Sequence, residues 1–142
     1  MRSYPATIKI TNLRLRTFVG FNQEEREKQQ DVVINAEIRH TINERVLLDE
    51  VDAALNYKTI TKAMIRHVES GRFLLLEKLA GDLMAICSDN PAVEQAVVTV
   101  DKPHALRFAD SVSVTLEFDR KIHQLSNGGT HEPDTRPLSK AS

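Results

Sequence analysis

The hydrophobic pattern of this 142-residue chain changes period twice. It alternates at first, takes a helical period near residue 56, and alternates again from about residue 96. Residues 7–20, "TIKITNLRLRTFVG", set Leu13 and Leu15 against Arg14 and Arg16. Residues 31–40, "DVVINAEIRH", set Val32, Ile34, Ala36 and Ile38 against Val33, Asn35, Glu37 and Arg39. Both patterns predict half-buried strands. The charged stretch "FNQEEREKQQ" connects them. Residues 56–70, "NYKTITKAMIRHVES", predict a helix with Asn56 as N-cap and Ile60, Met64 and Val68 inward. Gly71 punctuates. A second helix follows in "FLLLEKLAGDLMAI", residues 73–86, with Leu76, Leu79, Ala80, Leu83 and Ile86 on one stripe. "SDNP" ends it. "AVVTVD" (96–101) and "SVSVTLEFDR" (111–120) predict two more strands. The order is ββ-αα-ββ, an α+β subunit whose two helices cover one face of a four-stranded antiparallel sheet. The other face is polar in alternation. It either meets water or lines a larger barrel of several subunits, since free sheet edges can associate. Residues 122–142 are rich in Gly, Pro and small polar residues and predict a disordered tail beyond a single domain at 1–121.

Several function classes drop out. The net charge is −1 and the charges are interspersed, unlike the basic footprint of a nucleic-acid binder. One cysteine, Cys87, allows no disulfide framework within the chain and fits a reducing compartment. "MRSYPATIKI" lacks the apolar core of a signal peptide, and no run is long enough to span a membrane, so a cytoplasmic location is expected. The histidines at 40, 67, 104, 123 and 131 form neither HxH nor HExxH, so no metal site is expected. Phosphate-loop, dinucleotide and nucleophile-elbow signatures are missing too. Cys87, inside an apolar helical pattern, reads as a small core residue.

A few polar residues at element ends remain. Glu77 sits in a leucine-rich run, and its helical neighbours Phe73, Leu74, Ala80 and Gly81 include no cation. Lys78 does find a partner at that spacing in Asp82. Glu77 is thus either solvated at the edge of the stripe or paired with something outside the helix. Glu25 in the first connection, Tyr57 at a helix start and Lys102 at a strand end complete the set. Rigid scaffolds often hold working side chains at such termini.

The stretches "NLRLRTFVG", "ALNYKTITK", "RFLLLEKL" and "DKPHALRFADSVSVTL" resemble the dihydroneopterin aldolase family, and within it the epimerase branch. The resemblance spans roughly residues 8–120. It implies the tunnelling fold, in which four subunits close a barrel and two rings stack into an octamer with active sites between subunits. It implies a reduced pterin as substrate and no cofactor. By the same resemblance Glu77 anchors the pterin with Leu76 beside it, and Lys102, Tyr57 and Glu25 are catalytic. His104 and Arg107, two and five positions beyond Lys102 in the epimerase-like stretch, are candidate cations for the substrate's phosphate end; the alternative for Arg107 is an ion pair with Asp101 or Asp110. "KPHALRFAD" departs from the turn of the aldolases and agrees with the epimerases. The implied reaction inverts C2′ of the 7,8-dihydroneopterin triphosphate side chain. The alternative is aldol cleavage releasing glycolaldehyde.

Elementary chemistry is consistent with each role. A pterin presents a ring N–H beside an exocyclic amino group, and one carboxylate can accept from both. The substrate's own C=N bond takes up the electrons released when C1′–C2′ breaks, so retro-aldol chemistry needs no metal. The protein must deprotonate the 2′-hydroxyl and protonate the ring nitrogen. A carboxylate beside a lysine favours the ammonium form, so a water shared by Lys102 and Glu25 is the expected relay. A catalytically silent pterin-binding scaffold is a competing reading. So is a zinc-dependent enzyme of the same fold, whose histidine clusters this sequence lacks.

Overall fold

The computed structural model describes residues 2–123. Strand β1 (Ser3–Val19) leads through helix α1 (Gln23–Glu27) to β2 (Gln30–Asn43). A short helix α2 (Glu44–Leu47) and a 3-10 turn (Val51–Ala53) precede α3 (Tyr57–Ser70). Then come β3 (Arg72–Phe73), α4 (Leu76–Ser88), β4 (Gln95–Pro103) and β5 (Ser111–Asp119). The sheet order is β3-β1-β2-β4-β5. The expected ββ-αα-ββ order stands, with Asn56 capping α3 by accepting from Thr59 N at 3.1 Å.

The sheet differs from the expected one by a strand. β3 pairs parallel to the end of β1, Phe18 with Arg72 and Val19 with Phe73. Two residues between helices carry no periodicity, so pattern reading attached Phe73 to the helix that follows. The second helix starts at Leu76, three residues later than expected. α1 was likewise hidden in a charged run.

Alternation in β2 is realised as burial: Val32, Ile34, Ala36 and Ile38 are all buried. They pack with Val98 and Val100 of β4 and with Met64, Val68, Leu79 and Leu83 of the helices in one core. Cys87 lies there too, 3.7 Å from the Met64 sulfur, and burial pushes its thiol up to about 11. It is an inert core residue. On the polar face a bulge between Ile10 and Leu13 interrupts the β1–β2 register. Asn12 adopts a left-handed φ of 54° there and its N–H donates to Asn35 Oδ1 at 2.9 Å.

Two features orient α4. The Arg120 guanidinium donates to the carbonyls of Ser88 at 2.7 Å and Asn90 at 3.1 Å, tying the helix C-terminus to the far end of β5. The Asp82 carboxylate joins the helices, receiving Lys78 and facing His67 Nε2, each at 2.8 Å. Since β4 and β5 are antiparallel, the first turn of α4 falls at the opposite end, where Lys102 is the next-to-last residue of β4. Both sheet margins are open among the described residues. β5 has one neighbour, and β3 covers only Phe18 and Val19 of β1's outer edge. The expected tail, 122–142, lies outside the described residues except for Ile122 and His123. No helix among those described is long and apolar enough to cross a membrane.

Candidate active site

The end of β1 sets the site. Gly20 has φ 127°, a left-handed conformation that disfavours any side chain. Its N–H donates to the Phe73 carbonyl at 2.9 Å, which fixes the chain between β1 and β3. A Cβ at Gly20 would collide with the carboxyl group of Glu25. The backbone angle thus favours glycine, and any side chain here would displace the Glu25 carboxylate.

Glu25 is held by a reciprocal cap on α1. Asn22 Oδ1 accepts from Glu25 N at 2.8 Å, and Glu25 Oε1 accepts from Asn22 N at 3.3 Å. The other oxygen, Oε2, accepts from Lys102 Nζ. The Lys102 side chain is 9% exposed and that of Glu25 22%. Burial alone would raise the Glu25 carboxyl, but its bonds to Lys102 and the Asn22 amide hold it below the ordinary carboxylate value. Lys102 extends the inward register of Val98 and Val100, which is why its stem is buried while its ammonium reaches Glu25. These are the two residues that sequence reasoning paired through a shared water, and here they meet directly. Asn22 was missed, although "NQEE" carries the spacing of a capping box.

Leu76 and Glu77 open α4 at this same end. Leu76 packs against the core while Glu77 is half-buried. Glu77 has no hydrogen-bond or ion-pair partner among the described residues, so the question raised by its neighbours persists in three dimensions. Leu75, the N-cap, supplies no side-chain bond to the helix. The Lys78 and Leu79 amides turn back to the Leu75 carbonyl, while the first-turn amides of Leu76 and Glu77 stay unspent within the helix. A carboxylate acceptor and main-chain donors thus stand side by side.

Tyr57 is not part of this cluster within one chain. It is 49% exposed and lines an apolar groove of about 670 Å³ with Ile8, His40, Ile42 and Thr61. Lys102 lies one residue past the Asp101–Val33 pair, and His40 is seven residues further along β2 from Val33. At 3.3 Å per residue that is about 23 Å. Within one chain Tyr57 and Lys102 therefore stand far apart along the sheet. The buried His40 Nδ1 in the same groove has no partner among the described residues.

His104 and Arg107 occupy the exposed turn from β4 to β5. His104 adopts φ 63° and its N–H donates to the Asp110 carbonyl at 3.3 Å. Arg107 makes no ion pair with Asp101 or Asp110; its guanidinium lies 5.6 Å over the ring of Phe108, itself 95% exposed. Asp101 instead accepts from Ser111 at 3.2 Å. The turn therefore leaves a cation and two large apolar side chains, Leu106 and Phe108, facing outward beside Lys102.

Residues 8–117 match the family model described as FolB, dihydroneopterin aldolase. A dihydroneopterin triphosphate 2′-epimerase of Pseudomonas aeruginosa is 52% identical over 115 residues, 81% of this chain and 94% of the relative. The Escherichia coli protein of the same name is 49% identical, covering 81% and 96%. The crystal structure of Escherichia coli dihydroneopterin aldolase in complex with neopterin superposes with a TM-score of 0.74 at 25% identity, over 80% of this chain and 98% of that one. The subunit fold is the one the resemblance implied, with β3 added to the sheet. The chain belongs to the dihydroneopterin aldolase family.

Proposed function

We propose that this protein is an enzyme that inverts C2′ of 7,8-dihydroneopterin triphosphate by retro-aldol cleavage and re-addition. The carrying observation is the Lys102–Glu25 pair, nearly enclosed and set at the same end of the sheet as the unpaired Glu77. The names of the relatives at 49% and 52% identity support the substrate and outcome. The family description and the neopterin-bound relative favour aldol cleavage as the second reading.

Each residue then has a task. Glu77 accepts the pterin's ring N–H and amino group, and the free amides of the α4 start donate to its carbonyl, with Leu76 against the ring. The Lys102–Glu25 pair, through a water, takes the proton of the 2′-hydroxyl. As C1′–C2′ breaks, its electron pair moves into the C6–C1′ bond and the C=N electrons move to N5, which gains a proton. The side-chain fragment becomes an aldehyde. Rotation of that aldehyde and return of the electron pair re-forms C1′–C2′ with the opposite configuration, and N5 gives its proton back. Tyr57 of another copy positions the reacting hydroxyls. Arg107 and His104 hold the fragment's phosphate end. The substrate supplies its own electron sink, so no cofactor enters.

This reading includes an octamer of two stacked four-subunit rings, closed through the open edges of β1 and β5. It places the catalytic unit in residues 1–121, the remainder outside it, and the enzyme in the cytoplasm. Incubation with dihydroneopterin triphosphate tests the reaction: chiral chromatography should give mainly the 2′-epimer, with little trapped aldehyde. Stoichiometric aldehyde would make the enzyme an aldolase, and no turnover of either kind would favour a binding scaffold. The shared site has its own test. Inactive Lys102→Ala and Tyr57→Phe proteins, dissociated and reassembled together, should regain a measurable fraction of activity. Absence of recovery in confirmed mixed oligomers counts against it.

A further inference from the structure

A triphosphate carries about three to four negative charges and is best held by several cations. Several cations of the fold are already engaged. Arg16 pairs with Asp31, Arg45 with Glu50 and Asp52, Lys9 with Glu37 and Lys78 with Asp82. Arg72 stacks on Phe18, and Arg120 is spent on main-chain carbonyls. The Arg26 guanidinium has no partner among the described residues, but glutamates flank it in α1 and Glu27 lines the same depression.

Arg14 and Lys28 are also exposed without a side-chain partner among the described residues, but helix α3 groups three such cations on one face. Lys58, Lys62 and Arg66 follow one another at four-residue spacing, all exposed, with no hydrogen-bond or ion-pair partner for their side chains among the described residues. Lys58 is the residue after Tyr57. Tyr57 and Thr61 line the groove together, so Lys58 and Lys62 form the adjacent ridge of the same two turns. Side chains at this spacing sit about 5–6 Å apart at Cβ, a separation that lets two ammonium groups straddle neighbouring phosphates. For three cations on one helix face, the ordinary account is a solvated ridge. Here the ridge begins beside Tyr57, the residue that the proposed function assigns to the site of another copy.

We propose that Lys58 and Lys62 form a phosphate-chain subsite, contributed with Tyr57 to the active site of another copy and facing Arg107 and His104 of that copy across the triphosphate. This inference rests on the proposed function and deepens it. It makes selectivity for the phosphorylated pterin a property of the helix that arrives, while pterin-ring binding belongs to the chain carrying Glu77.

The test compares 7,8-dihydroneopterin triphosphate with unphosphorylated 7,8-dihydroneopterin in wild type and in Lys58→Ala/Lys62→Ala. The ratio of the two kcat/KM values should fall at least 20-fold in the double variant, mainly through KM for the triphosphate. Inorganic tripolyphosphate should inhibit wild type competitively and lose at least tenfold in potency. Lys58→Arg/Lys62→Arg, which keeps both charges, should retain most of the selectivity. An unchanged ratio in an active double variant, or an equal loss on both substrates, overturns the subsite and leaves the enzymatic reading intact. Wild type that converts neither pterin overturns the proposed function instead, and the subsite falls with it.

Discussion

Replacing Lys102 by alanine lowers kcat for pterin turnover by at least two orders of magnitude while leaving pterin affinity within a fewfold of wild type. Positioned proton transfer is worth about 10²–10⁴-fold in rate, and Lys102 is the cation in contact with the candidate relay. In the proposed mechanism it acts on the side chain of the substrate and Glu77 on the pterin edge, so binding and chemistry should separate. Steady-state kinetics beside calorimetric titration with a dihydropterin reads both quantities. Near-wild-type kcat would move the chemistry elsewhere. The variant also has a pH signature. Glu25 is held below its ordinary pKa in the folded chain, Lys102 being one cause. A depressed carboxylate contributes stability above its unfolded pKa and loses it as pH falls through the folded one. Wild type should therefore lose this increment in mildly to strongly acid solution, and the alanine variant should show a smaller loss over the same range. Thermal unfolding at successive pH values compares the two.

The core and the catalytic cluster were unequally legible in the sequence. Val32, Ile34, Ala36 and Ile38 announce their face because burial on one side of a sheet writes a period of two into the chain. Met64 and Val68 do the same at helical period. β3 writes nothing, because Arg72 and Phe73 are fewer residues than any period needs; their pairing follows from where α3 ends and from the Gly20–Phe73 bond. The site residues were legible as anomalies: an acid in a leucine run, a lysine ending an inward strand register. Their meaning came through resemblance to a family, since one carboxylate and one amine do not specify a pterin. The contact between Glu25 and Lys102 joins residues 77 positions apart and depends on Gly20 leaving room. No local pattern encodes that. The separation of Tyr57 from Lys102 was equally invisible, because strand length and register must be known before a distance exists.

Glu77→Gln should weaken binding of a dihydropterin by at least tenfold and leave the fold nearly as stable as before. Two effects compete to explain this acid, and their magnitudes differ. Glu77 stands in the first turn of α4, where the helix dipole favours a negative charge by about 0.3–1 kcal/mol. Were that its whole purpose, glutamine would cost a small amount of stability and nothing in affinity. As the pterin anchor it receives two charge-assisted bonds, each worth about 1.5–3 kcal/mol. Glutamine keeps the shape, removes the charge and turns one acceptor into a donor that faces a pterin N–H. That loss exceeds the roughly 1.4 kcal/mol that corresponds to tenfold in affinity. Titration calorimetry with a dihydropterin reads affinity, and thermal unfolding of the free protein reads stability. A loss of affinity without a matching loss of stability assigns Glu77 to the ligand; a small loss of stability with unchanged affinity assigns it to the helix.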